Sequence, residues 1–269
     1  MSENIPKIII IIPYRDRKNH RDTFMKHMPS ILSGMDYKIM VIHQYDNRLF
    51  NRGAIKNIGF KSVKEKYPDH YNNITLVFHD IDWLPLTKGQ FSYDTEVGSV
   101  NHFFGYTQTL GGIIAIKGSD FEKINGFPNI WTWGIEDNCL KQRCDALNII
   151  INRAEFVNIH DVEAVSSKLI RLFHGHNRII SPNIESKLST DPKLDGINSL
   201  YNIQYRVHSI DQHTEEVLVR TFETPEKFTS PLIKYAKEHD SRKYKRLDRI
   251  INIPKPGDYR HKWIMSLTR

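Results

Sequence analysis

The sequence predicts an α/β fold with a mixed, mostly parallel central sheet flanked by helices, and three observations predict it. Residues 7–14 (KIIIIIPY) and 37–44 (YKIMVIHQ) are continuous apolar runs, which suit strands covered on both faces. Between them, residues 20–35 (HRDTFMKHMPSILSGM) carry apolar side chains at helical spacing, with Gly34 near the end as a stop signal. A second helical stretch at 51–67 (NRGAIKNIGFKSVKEKY) then leads to a third strand at 73–80 (NITLVFHD). Strands alternating with helices imply right-handed crossovers and a ligand site at the carboxyl ends of the strands.

The remaining organisation follows from composition. At 269 residues and 39% hydrophobic, the chain can bury a substantial core. The isoleucine run at 8–12 is stopped by Pro13 and followed by charge, far short of the roughly 20 apolar residues that span a bilayer. It also lacks a signal-peptide cleavage pattern, so the expectation is a soluble chain. Cys139 and Cys144 lie five apart in a predicted helix, where they do not face each other, and read as packing residues of a reduced compartment. The net charge of +7 favours anionic partners. Residues 1–225 are expected to form the main domain. Residues 226–269 are strongly basic and read as a terminal helix with an appended tail.

Asp80 and Asp82 end the third strand two residues apart, so an extended backbone would point both carboxylates to one side, toward a shared cation. Mg2+ and Mn2+ prefer such hard oxygen ligands. Two aspartates in a turn also serve as solvated caps, and the spacing by itself does not decide. Leu140, Cys144 and Leu147 recur at helical spacing, which puts Glu136 and Asp137 in the first turn of a helix. There the helix dipole stabilises acidic residues with or without a catalytic duty.

Several segments in order settle more than any one alone. The series IIIPYRDR, FNRGAIKNIGF, VFHDIDWLP, GGIIAIKGSDFEKINGFPNIWTWGIEDN and DGINSL closely resembles the β-1,4-galactosyltransferase family over residues 7–225. Members are inverting enzymes of the GT-A fold that use UDP-sugars and Mn2+. The resemblance implies that Pro13, Tyr14, Arg15 and Arg17 form a nucleotide-binding turn, chemically apt because arginine forks match diphosphate oxygens. It implies uridine contacts from Phe50 and Arg52, donor contacts from Asp80 and Gly112, and a direct metal ligand in Asp82. A further metal ligand falls on His174, with His176 as the alternative, because the family's methionine-x-x-histidine pattern is altered here. Asp137 matches the family's general base, Glu136 orients hydroxyls, and Trp133 stacks on sugar at the tip of a closing loop hinged at Gly134.

Four departures bear on specificity. Thr132 and Ile135 replace loop glycines, and Asn138 replaces an acceptor-binding aspartate. Thr109 stands where galactose-specific members crowd the donor's C2 substituent with tyrosine, so galactose, N-acetylgalactosamine and N-acetylglucosamine donors all stay open. The expected partners are a UDP-sugar donor and a glycan, glycolipid or glycoprotein acceptor, with Mn2+ as cofactor and Mg2+ as the alternative. The basic tail suits an anionic membrane surface better than nucleic acid. Animal members of the family carry a membrane anchor and disulfides, and their lack here points to a cytoplasmic enzyme. The competing readings are an inactive sugar-nucleotide fold that binds through its tail, and a metal-dependent phosphohydrolase.

Overall fold

The structure is a computed structural model that describes residues 4–131, 133–172 and 195–226. Its centre is the predicted unit: β1 (Ile8–Tyr14), α1 (Lys18–Ile31), β2 (Tyr37–Gln44), α2 (Arg52–Lys66) and β3 (Thr75–His79). Every position of β1 is buried, as β-branched residues on a strand covered from both faces must be. β2 and β3 pair parallel to β1 on opposite sides, so the chain reverses its direction of travel across the sheet at β1. That reversal opens a crevice at the carboxyl ends of these strands, the usual ligand position of open α/β sheets.

The helices cover this centre for local reasons. α1 turns His20, Phe24, Met28 and Ile31 inward at spacings of three and four. α2 starts where the Asn51 side chain accepts the Ala54 N–H at 3.0 Å, and Asn51's own N–H donates to Gln44 Oε1 at 2.9 Å. It is buried on almost all sides from Gly53 to Phe60. Gly53 makes this approach feasible, because a Cβ there would overlap the Pro128 carbonyl oxygen.

Beyond the centre the sheet becomes mixed. β5 (Ser99–Gly105) and β6 (Ile113–Lys117) extend it antiparallel next to β3, and β7 (Ile150–Asn152) and β8 (Val157–Asn158) pair parallel with β5. On the other side, β10 (Tyr201–Ser209) and β11 (Thr214–Glu223) form a hairpin whose second strand runs parallel to β2. The sequence reading assigned no strand to this hairpin. A small antiparallel ribbon joins β4 (Trp83–Pro85) to β9 (Leu169–Arg171). Three α-helices, α3 (Gly118–Lys123), α4 (Glu136–Ala146) and α5 (Val162–Lys168), and a short 3-10 turn at Ile197–Ser199 complete the described elements. Cys139 and Cys144 are free and buried in α4, where burial pushes their thiols up to about 11 and about 12. Among the described residues no helix is long and apolar enough to cross a membrane. The basic segment at 227–269 lies outside the described residues.

Candidate active site

Three connections meet at the carboxyl edge of the sheet: the turn after β1, the loop between β2 and α2, and the link between β3 and β4. The first begins later than the sequence suggests. Pro13 and Tyr14 belong to β1 and not to the turn, and Pro13 lies beyond the last pair with β3, Ile11 with Phe78. One flank of the strand is unpaired there, so the missing N–H is tolerated. Tyr14 is 5% exposed, edge-on to His43 and under the Arg21 guanidinium, so its ring serves the core of this corner and burial raises its phenol pKa. The turn proper carries Arg15, bonded to Asp16 at 3.1 Å and Asp46 at 3.4 Å, and Arg17, which reaches Asp82 Oδ2 at 3.2 Å. Phe50 is half-buried just before the cap of α2.

Arg52, the first residue of α2, gathers three carboxylates. Its Nη2 donates to Asp80 Oδ1, while Nη1 donates to Glu136 Oε1 at 2.6 Å and to Asp137 Oδ2 at 3.1 Å. Burial disfavours its charge, but the Asp137, Asp80 and Glu136 carboxylates outweigh burial and hold the guanidinium charged. One helical turn on, Lys56 Nζ donates to Asp137 Oδ1 at 3.1 Å. The cluster therefore holds three negative and two positive side chains. In Asp137, burial works to raise the carboxyl pKa, yet Arg52 and Lys56 prevail and hold it below the ordinary carboxylate value. Asp137 is ionised at neutral pH.

Asp80 and Asp82 do not continue β3 as an extended pair. Residues 80–83 form a turn, with the Trp83 N–H donating to the Asp80 carbonyl at 3.3 Å, and the two carboxylates find different arginines. Geometry favours the turn because β4 must leave at once to pair with β9. Behind it, His79 is buried between the Asp80 carbonyl at 3.0 Å and the Tyr93 hydroxyl at 3.2 Å. A carbonyl only accepts, so Nδ1 carries the proton and the tyrosine donates to Nε2. Burial lowers this imidazole to about 4. Asp82 also accepts the Leu172 N–H on its carbonyl at 2.7 Å, which joins the turn to the end of β9.

The last wall is the loop into α4 and the Leu-Gly-Gly segment opposite. Trp133 is 43% exposed, Gly134 takes φ 111°, and Ile135, which ends the loop, takes φ 58° without any side-chain cap bond. A β-branched residue in the left-handed region is strained, so the backbone keeps here the shape that a family glycine would adopt freely. Glu136, 4% exposed, and Asp137 follow in the first turn of α4. Arg143 ties the same helix to the carbonyls of Asn125 and Gly126 at 3.0 and 2.6 Å. Asp195 of the DGINSL segment fixes the approach to the loop by accepting the Asn129 N–H at 2.8 Å. Across the site the Leu110 N–H donates to the Asp137 carbonyl at 3.0 Å. Gly111 lies so close that a Cβ would overlap Asp137 Oδ2, and Gly112 accepts the Asp80 N–H at 3.0 Å. Thr109 is half-buried two residues before Gly111.

Of the residues expected from the sequence, Arg52, Asp80, Glu136 and Asp137 thus form one cluster, and Arg17 with Asp82 forms a neighbouring pair. His174 and His176 lie outside the described residues, and among the described residues no three metal-ligating side chains are placed to hold a metal ion, since the three carboxylates of the cluster converge on Arg52 instead. Lys56 and Gly111 were missed. The signal for Lys56 was present as a lone cation inside the apolar stretch GAIKNIGF.

Comparison with known proteins identifies the family. A family model described as the N-terminal region of glycosyl transferase group 7 matches residues 3–93, and one described as the N-terminal domain of galactosyltransferase matches residues 92–168. Mouse β-1,4-galactosyltransferase 1 is 30% identical over 223 residues, covering 77% of this chain and 52% of its own length. Xylosylprotein 4-β-galactosyltransferase of Caenorhabditis elegans is 27% identical, covering 76% of this chain and 72% of its own. The chain thus spans about half the length of the mouse relative. A crystal structure of a Drosophila β1,4-galactosyltransferase 7 mutant, in complex with manganese, UDP-Gal and xylobiose, superimposes with a TM-score of 0.66 at 21% identity. It covers 83% of this chain and 96% of that one, and it shows the GT-A fold. Because the two consecutive family matches account for the central sheet, the aspartate turn and the helix that begins with Glu136 and Asp137, the chain belongs to the β-1,4-galactosyltransferase family.

Proposed function

We propose that the protein is a metal-dependent inverting glycosyltransferase that moves a hexose or N-acetylhexosamine from a UDP-sugar to a glycan hydroxyl. The observation that carries the reading is the Arg52 cluster. It sets an ionised, oriented Asp137 at the carboxyl edge of the sheet, beside the Arg17–Asp82 pair. In the reaction the acceptor oxygen bonds to the anomeric carbon as the bond from that carbon to the diphosphate breaks. UDP departs with the electron pair, and Asp137 takes the hydroxyl proton. Such base assistance contributes about 10²–10⁴-fold. Arg15 and Arg17 would exchange their present partners for diphosphate oxygens, Glu136 would orient hydroxyls, and Trp133 would cover the sugar and exclude water.

Asp82 suits a divalent cation: its oxygens are hard donors, and its carboxylate is a quarter exposed with an exchangeable arginine partner. The manganese and UDP-Gal held by the Drosophila neighbour support Mn2+ and a UDP donor. A bound cation supplies Lewis-acid neutralisation of charge on the departing diphosphate. The further ligand assigned to it is His174. His176 is its alternative, and the likeness of the FHG segment to the family's metal histidine supports His174.

Thr109, smaller than the family's tyrosine, supports a donor with a bulkier C2 group. In the same reading residues 1–225 are the catalytic domain, the basic extension at 226–269 touches an anionic membrane surface, and the free buried cysteines accord with a cytoplasmic setting. Asp137→Asn should keep UDP binding and lose transfer by about 10²–10⁴-fold in an acceptor-dependent UDP-release assay. Wild-type transfer by this variant removes the base, and free sugar released without acceptor would mark a hydrolase.

A further inference from the structure

Lys56 stands in a place where stability alone gives no reason for a lysine. Its side chain is 2% exposed, within a stretch of α2 that is buried from Gly53 to Phe60, one turn from Arg52 on one side and Phe60 on the other. The ammonium lies 4.0 Å from the centroid of the Phe127 ring and 3.1 Å from Asp137 Oδ1. Arg52 already supplies Asp137 with a cation, and it is shared with Asp80 and Glu136. Removing an ammonium group from water costs several kcal/mol, and an apolar side chain of similar length is often an equal or better occupant of a buried ion-pair site. A methionine would fit against the same ring. The second cation therefore calls for another explanation.

The bonds around Asp137 supply one. Its carbonyl is held by Leu110, and Arg52 Nη1 reaches both carboxylate oxygens, Oδ2 at 3.1 Å and Oδ1 at 3.3 Å, so it does not tell them apart; Oδ2 sits against Gly111, and Oδ1 alone takes Lys56 Nζ. Gly111 leads directly into Gly112 and follows Thr109 and Leu110, the segment that faces the donor in the proposed reaction. Rotation of the carboxylate about its terminal bond would exchange the two oxygens. The Lys56 contact opposes that rotation from the buried side. We propose that Lys56 is a positioning residue for glycosyl transfer, holding Asp137 Oδ1 so that Oδ2 is kept on the Gly111 side to receive the acceptor's proton. This inference rests on Asp137 being the base.

The charges that face Asp137 define what the test should read. They are Arg52 and Lys56 from α2, Glu136 from its own helix, Asp80 from the turn after β3, and His102 from β5. Arg52 and Lys56 are the groups that hold its pKa down. The acid limb of kcat/KM reports the base of the free enzyme, so loss of one cation must carry that limb to higher pH.

The experiment compares wild type, Lys56→Met, Lys56→Gln and Asp137→Asn in the full chain, by thermal midpoint, UDP affinity, kcat, KM and the pH profile. Lys56→Met is expected to keep UDP affinity, to lower kcat by about 10- to 100-fold, and to shift the acid limb up by about one unit. Lys56→Gln keeps a donor without the charge, so it should recover part of kcat while the limb stays shifted; it also gives the answer if the methionine variant does not fold. A variant with wild-type kcat and an unmoved acid limb, whatever its thermal midpoint, would overturn the role of Lys56. If Asp137→Asn is inactive in the same series, the base assignment survives that result; if it is fully active, the base assignment itself has failed.

Discussion

The two ends of the site are built to opposite plans. At the Asp137 end, Lys56 and Arg52 hold a carboxylate from within the protein, and Glu136 and Asp80 complete a nearly closed network. At the Asp82 end, one arginine and one carboxylate meet with 29% and 25% of their side chains still exposed. The first arrangement fixes geometry and protonation before any substrate arrives. The second leaves a carboxylate and a guanidinium that can trade each other for a cation and a phosphate at modest cost, since exposed pairs contribute about 0–1 kcal/mol. The proposed reaction would draw on both, with a base that does not move and a donor site that opens and refills.

The largest difference should appear in stability. Arg52→Ala leaves three carboxylates facing one another in a largely buried site and should cost about 3–5 kcal/mol, read as a fall in urea midpoint. Arg17→Ala should cost no more than about 1 kcal/mol in the same assay. Equal losses would mean that the two ends are not different in kind.

A smaller effect comes from two histidines that back the site. His79 bonds the Asp80 carbonyl, and His102 lies 3.1 Å from the carbonyls of both Phe104 and Gly111, with Arg153 Nε donating to its Nδ1. Burial lowers both imidazoles from 6.5 to about 4. In the unfolded chain they bind protons at the ordinary value, so between pH 6.5 and about 4 the unfolded state holds more protons and stability falls as the pH drops. The contribution of Asp137 is lost mainly below this window, as the pH falls from its ordinary value of 3.8 toward its lower folded value, so the histidines set the fall above about pH 4. Thermal midpoints should therefore decline across pH 6.5 to 4, and His102→Asn should flatten the decline. An unchanged slope in that variant would show that His102 takes up its proton in the folded state.

The smallest effect concerns Ile135. Left-handed backbone costs a non-glycine residue about 1–2 kcal/mol, and glycine's greater unfolded freedom offsets about 0.5–1 of that. Ile135→Gly should thus be neutral or stabilising by under about 1 kcal/mol, in contrast to the loss usual for an isoleucine replaced by glycine. A loss above 2 kcal/mol would indicate that the isoleucine side chain, and not the backbone shape, matters at this junction.

Much of this architecture was legible because its causes are local. Five consecutive isoleucines before a proline can hardly be other than a doubly covered strand, and Asp80, Asp82, Glu136 and Asp137 stand at strand and helix ends that apolar spacing locates. The β10–β11 hairpin was less accessible. Tyr201, Ile203, Tyr205 and Val207 do alternate, but most of β10 faces solvent, and β11 finds β2 across a separation of more than 170 residues. The partner of Lys56 was hidden for the same reason: Asp137 is 81 positions away, and a lysine read alone is expected at a surface. The Asp80–Asp82 turn also could not be read from spacing, because it depends on the pairing of β4 with β9.

The contrast between the two ends is best tested by calorimetric titration of UDP, with manganese present, into wild type, Asp82→Asn and Asp137→Asn side by side. Wild type and Asp137→Asn should take up UDP with similar affinity, while Asp82→Asn should lose the manganese-dependent part of that affinity. Undiminished manganese-dependent uptake by Asp82→Asn would contradict the assignment of donor binding to the open end.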